Sequence, residues 1–249
     1  MNKNISIGIF GDSFAARSWG NSNLAWPELL EKDHGYTNIT NFAEPASSLY
    51  FSYDKFVKYQ HKFEKIIFVV TTPGRFSFTS QIEIPKGTHR HFLPNVHAFS
   101  NIWSDDVNYK NAVDAVKKYF TYLYNDTEDL HKTIGLVHNL KLMRPDALLI
   151  PTCFLPIPSI LASVNLLKDP RFKSAMNEIA RREIEITGNN YHEVISKGRD
   201  SRNSHMSQTN NKIFAEKIAN YLETDNFLLD VNDFVFDKDL DITTIFKNT

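Results

Sequence analysis

Short apolar runs at residues 5–10, 38–42, 65–71 and 147–152 are separated by long stretches of helical periodicity, and this order is what most restricts the fold. A buried helix segment can imitate such a run, but each is short, rich in Ile, Val or Leu and flanked by polar or turn residues, so each predicts a strand. Ala112, Val113, Val116, Tyr119, Phe120 and Leu123 recur at helical spacing, as do Leu130, Ile134, Val137 and Lys141. Phe172, Met176, Ile179 and Ile184 predict a third long helix, and Ile213, Phe214, Ile218, Tyr221 and Leu222 a fourth. Strands alternating with helices predict an α/β fold with a parallel sheet covered by helices.

With 249 residues the chain is long enough for one large domain, here residues 1–222. Residues 76–109 are too long for a connection and too aromatic for a linker, so they predict an ordered insertion on the rim of the strand ends. Residues 223–249 are acidic but carry Phe227, Leu228, Leu229, Val231, Phe234 and Phe236, the pattern of an extension packed on the domain or on a partner. Lys plus Arg total 28 against 29 Asp plus Glu, which disfavours nucleic acid as the main ligand. The single cysteine, Cys153, excludes an intramolecular disulfide. No stretch approaches a membrane span or an export signal, so a soluble protein is expected, with its oligomeric state open.

The first run ends in Gly11-Asp12-Ser13. In a parallel sheet ligands bind at the carboxyl ends of the strands, where this turn would lie. Asp12 or Ser13 could cap a helix. Alternatively, a helix opening near Ser13 would let one residue supply both an attacking oxygen and a backbone donor to an oxyanion. Gly8-Ile9-Phe10-Gly11 lacks the glycine spacing of a dinucleotide fingerprint. A serine nucleophile needs a base, and of nine histidines His205 has the best setting, a polar loop just before the last helix. His89, His91 and His97 lack the carboxylate or cysteine companions of a metal site.

Four blocks, GIFGDSF, NFAEPASSLY, VVTTPGR and SHMS, stand in order over residues 5–222, and the chain here resembles the SGNH/GDSL hydrolases. The form of the third block is similar to hydrolase-like proteins of bacteriophages, which leaves a cytoplasmic or phage-associated location open. The resemblance implies a three-layer α/β/α sandwich with a central, flavodoxin-like parallel sheet. It also implies an acyl-serine mechanism on oxygen esters, without metal or organic cofactor. By the same resemblance Ser13 is the nucleophile, His205 the general base, and the Ser13 N–H the first oxyanion donor. Ala46 stands where the family has a glycine whose N–H is a second donor. The family's third-block asparagine is missing from Thr71-Thr72-Pro73-Gly74-Arg75, so Thr72 or Arg75 replaces it or the hole runs on fewer donors. Arg75 equally suits a structural ion pair.

The family's aspartate lies three residues before the histidine, where this chain has Arg202, and Asp200 is the nearest carboxylate. Either Asp200 or a backbone carbonyl orients His205. Trp19, Trp26, Tyr50, Phe51 and Trp103 would suit a carbohydrate ester such as an O-acetyl sugar, or simply pack in the core. The missing asparagine and displaced aspartate also fit a non-catalytic carbohydrate-binding or assembly protein that keeps the fold.

Overall fold

The computed structural model describes residues 3–18, 24–71, 73–77, 91–92, 106–151, 206, 208–227 and 233. Strands β1 (Ile7–Phe10), β2 (Ile39–Asn41) and β3 (Lys65–Val70) are joined by helices α1 (Trp26–Lys32) and α2 (Leu49–Tyr59). A hairpin of β4 (Phe76–Ser77) and β5 (His91–Phe92) follows. Then come α3 (Val107–Lys118), a π-helical turn at Tyr119–Leu123, α4 (Asp126–Met143), β6 (Leu148–Pro151) and α5 (Gln208–Thr224). The main sheet has the order β2-β1-β3-β6 and every pairing in it is parallel. All four predicted strands are present, and the α/β class holds. The predicted helix over residues 172–184 lies outside the described residues.

The apolar runs of the inner strands form because side chains on both faces of the sheet are buried there, while β2 at the edge is only partly buried. Ile7, Ile9, Ile67 and Val69 pack in one cluster with Trp26, Leu29 and Leu30 of α1 and Phe214, Ala215 and Ile218 of α5. Phe10, Ile66, Phe68 and Val70 join a second cluster with Leu49 and Phe56 of α2 and Val137 and Leu140 of α4. The alternation along β3 is the two-residue period of a strand, read here as two buried sets rather than as inside against outside. Gly8 belongs to the second side, where an added Cβ would lie 2.5 Å from the Phe63 ring. Arg144 closes the lower edge by donating to the carbonyls of Gln60, Phe63 and Glu64.

Two local expectations change. No helix opens at Ser13: residues 12–16 form a turn in which the Ala15 and Ala16 N–H groups both donate to the Asp12 carbonyl at 3.0 Å, and the first helix among the described residues starts at Trp26. Small residues after Ser13 allow a helix, but the first helical face able to enter the core is Trp26-Pro27-Leu29-Leu30. The inserted segment also ends earlier than residue 109, because Asp106 caps α3 by accepting from the Tyr109 N–H at 2.8 Å. Its described parts are anchored: Phe76 packs against the cluster of Tyr109, Val113 and Val116. No helix among the described residues is long and apolar enough to cross a membrane.

Candidate active site

Gly11 takes the chain out of β1 with φ 151°, and an added Cβ would lie 2.6 Å from Val69 Cβ. Glycine alone permits this close exit beside β3. Its carbonyl is held by the hydroxyls of Ser47 at 3.0 Å and Ser52 at 3.1 Å. The next residue, Asp12, is fully buried. Its Oδ1 accepts from the Phe14 N–H at 3.1 Å, while Oδ2 accepts from Thr71 Oγ1 at 2.6 Å and from Arg75 Nη1 at 2.8 Å. Downstream, the Phe14 carbonyl accepts from the Trp26 indole at 2.7 Å and the Ala15 carbonyl from Asn41 Nδ2 at 2.7 Å. Half-buried Ser13 therefore sits on a turn fixed from both sides. Such fixing is what a reacting group needs to attack without reorganisation. The helix N-terminus considered behind Ser13 is absent, so no helix dipole adds to the polarity of its backbone N–H.

Ala46 has φ 61°, in the left-handed region that disfavours any residue with a Cβ. The penalty for alanine is about 1–2 kcal/mol. The loop around it is held at both ends. The Glu44 N–H donates to the Gly11 carbonyl at 3.3 Å, and the Ser47 N–H donates to the Glu44 carbonyl at 3.1 Å. Ser48 caps α2 through its hydroxyl, 3.2 Å from the Phe51 N–H. Its own N–H donates to Ser77 Oγ at 3.0 Å. Buried His91 then joins the two ends, with Nδ1 2.8 Å from Ser77 Oγ and Nε2 3.2 Å from Glu44 Oε2. With Nδ1 unprotonated, Ser77 donates to the ring and the ring donates to Glu44. The Phe51 ring packs edge-on against His91 at 4.8 Å.

In the third block Thr72 lies outside the described residues. Arg75 forms the ion pair with Asp12 and also reaches the Ser47 carbonyl at 3.5 Å, so one guanidinium links the first three of the four blocks. Its Nε is buried and has no hydrogen-bond partner among the described residues.

His205 and Asp200 also lie outside the described residues, as do Trp19 and Trp103. The residue after His205 is described: Met206 is buried in the cluster that holds Ala15, two residues after Ser13. Its carbonyl accepts from Asn211 Nδ2 at 2.9 Å, and Asn211 Oδ1 accepts from the Trp26 N–H at 3.0 Å across 185 residues of sequence. Of the remaining aromatic candidates, Trp26 is core, edge-on to Phe214, while Tyr50 is 61% exposed. Sequence reasoning passed over the carboxylate of Asp12 as a hub and the Ser77–His91–Glu44 chain. The former is signalled only by its place before Ser13, and the latter joins residues too far apart for any spacing rule. Among the described residues no group of three or more His, Cys, Asp or Glu is placed to hold a metal ion.

No family model matches the chain, and no curated protein or solved structure matches it either.

Proposed function

We propose that this chain is a serine hydrolase of oxygen esters, with the three-layer α/β/α arrangement and the residue roles of the SGNH/GDSL enzymes. The observation that supports this best is the left-handed backbone of Ala46. A residue with a Cβ holds an unfavourable conformation where the resemblance calls for a glycine that offers its N–H to an oxyanion, and strain of this kind persists where the surroundings impose it. The fixed turn at Ser13 and the burial of Met206 in the cluster that also holds Ala15 add support from the other blocks.

In this reaction His205 takes the Ser13 hydroxyl proton as Oγ bonds to the ester carbonyl carbon. The N–H groups of Ser13 and Ala46 receive the charge that develops on the carbonyl oxygen. The carbon–oxygen bond to the alcohol then breaks, and His205 returns the proton to the departing oxygen. Water attacks the acyl-serine, giving a proton to His205, and Ser13 recovers it as the carboxylic acid leaves. Asp200 or a backbone carbonyl orients His205. Arg75 acts through Asp12, as a positioning residue for the turn.

A non-catalytic relative of the same fold is favoured by one observation: Arg75, one of the two candidates to replace the missing asparagine, is bound to Asp12. Hydrolysis of p-nitrophenyl acetate and butyrate by the purified chain separates the two. Turnover that disappears in Ser13→Ala supports the hydrolase, and absence of turnover on every ester supports the relative.

A further inference from the structure

A cavity of about 580 Å³ opens at the carboxyl end of β3, between the start of α2 and the middle of α4. Arg75, Asp129 and Thr133 stand in its wall together with the apolar Leu49, Pro73 and Leu136. We propose that this cavity binds a free α-amino acid with an apolar side chain, its carboxylate on the unused edge of Arg75 and its ammonium group between Asp129 and Thr133. The proposal goes beyond the hydrolase function and does not depend on it, since neither Ser13 nor Ala46 lines the cavity.

Arg75 spends only part of its guanidinium on the protein. Nη1 donates to Asp12 Oδ2 at 2.8 Å and reaches the Ser47 carbonyl at 3.5 Å. Nε is buried without a partner, and Nη2 makes no hydrogen bond among the described residues. These two nitrogens form one planar edge with parallel N–H groups, which matches the two oxygens of a carboxylate. A buried donor left unmet is costly, and a carboxylate seated on this edge removes that cost.

The opposite charge comes from α4. Asp129 Oδ2 accepts from the Gly74 N–H, which brings this carboxylate to the residue next to Arg75. Asp129 forms no ion pair among the described residues, because Lys132, three positions on, pairs with Glu128 at 2.8 Å instead. Thr133 lies one helical turn after Asp129, on the same face, and is 3% exposed. Its hydroxyl bonds to nothing among the described residues. A simple anion would meet the charge of Asp129, and a simple cation would leave the Arg75 edge unmet. A zwitterion answers both, and its ammonium group finds acceptors in Asp129 and Thr133.

The remaining wall suits the apolar body of such a ligand. Leu49, Pro73, Leu136 and the exposed ring of Tyr50 supply the contact surface. Gly135 adds no side chain there, and a Cβ built on it would meet no atom within 4 Å, so the space over this turn of α4 stays open.

Calorimetric titration of the full chain with L-phenylalanine tests the site. Two analogues probe its ends: 3-phenylpropionate lacks the ammonium group, and 2-phenylethylamine lacks the carboxylate. Saturable binding of L-phenylalanine with Kd below about 1 mM is expected, with each analogue weaker by about tenfold or more. Arg75→Lys keeps a cation beside Asp12 but loses the planar edge, and should weaken L-phenylalanine and 3-phenylpropionate alike by about tenfold. Asp129→Asn keeps an oxygen for the Gly74 N–H, and should weaken L-phenylalanine about tenfold while leaving 3-phenylpropionate within about twofold. A variant that had merely lost its fold would weaken both. Absence of L-phenylalanine binding overturns the proposal, as does 3-phenylpropionate binding as tightly as the amino acid or affinity that neither variant alters. The titration contains no ester, so its outcome is separate from that of the hydrolase assay.

Discussion

The Arg75 guanidinium lies 2.8 Å from the carboxylate of Asp12, a fully buried residue one position before Ser13. The third strand's loop thereby fixes the turn of the first. A buried carboxylate is costly unless its charge and its lone pairs find partners, and Thr71 and the Phe14 N–H add hydrogen bonds to the Arg75 contact.

Removing the cation alone should therefore be costly. Arg75→Met is expected to lower unfolding free energy by about 3–5 kcal/mol, because it leaves a buried carboxylate without its charge partner. Adding Asp12→Asn to that variant should restore a substantial part of the loss, since an amide at position 12 needs no cation. Urea denaturation of the two single variants and the double variant measures the coupling. Additive losses would show that the two groups do not act as a pair.

At Ala46 the backbone angle gives opposite expectations for two small changes. Ala46→Gly relieves the left-handed penalty and should raise stability by about 0.5–1 kcal/mol after the added freedom of the unfolded chain is subtracted. Ala46→Val adds a branched Cβ at φ 61° and should lower both stability and ester turnover. Thermal melts with parallel assays test both. A stabilising valine would contradict a left-handed residue 46.

His91 ties Glu44 to Ser77, and Ser77 holds the Ser48 N–H, so the hairpin supports the loop carrying Ala46. His91→Ala is expected to cost about 1–3 kcal/mol by leaving buried polar groups unpaired. If the loop supplies an oxyanion donor, kcat should fall while KM changes little, because the donor matters most when charge develops. His91→Gln, which can still bond at one end, should fall between the parent and alanine. Equal losses in kcat for Gln and Ala would remove the positioning role.

Strands β1, β3 and β6 were legible because both faces of the sheet are buried there, which turns them into unbroken apolar runs, whereas β2 at the edge is only partly buried. Helices α3, α4 and α5 showed themselves through their buried stripes for the same reason. The Ser13 turn was not legible as a turn: Phe14-Ala15-Ala16 suits a helix locally, and long-range bonds from Trp26 and Asn41 hold it otherwise. The motifs drew attention to Ser13, Ala46 and Arg75, and these blocks do meet in the fold. That Arg75 would turn to Asp12 depended on burial of the carboxylate, which no spacing reveals. His91 was weighed only as a metal ligand, and its partners were not legible because Ser77 is brought opposite it by a short antiparallel pairing and Glu44 is 47 residues away.

Whether Ser13 is an activated nucleophile is answered most directly by labelling the folded chain with a fluorophosphonate and locating the adduct by mass spectrometry. A base-activated serine beside oxyanion donors reacts with such probes, and an unactivated hydroxyl does not. The expected result is one adduct, on Ser13, that is lost in His205→Ala while the variant keeps the parent's thermal melt. No adduct, or an adduct on Ser47, Ser48 or Ser77 in place of Ser13, would contradict the assignment of Ser13 as the catalytic serine.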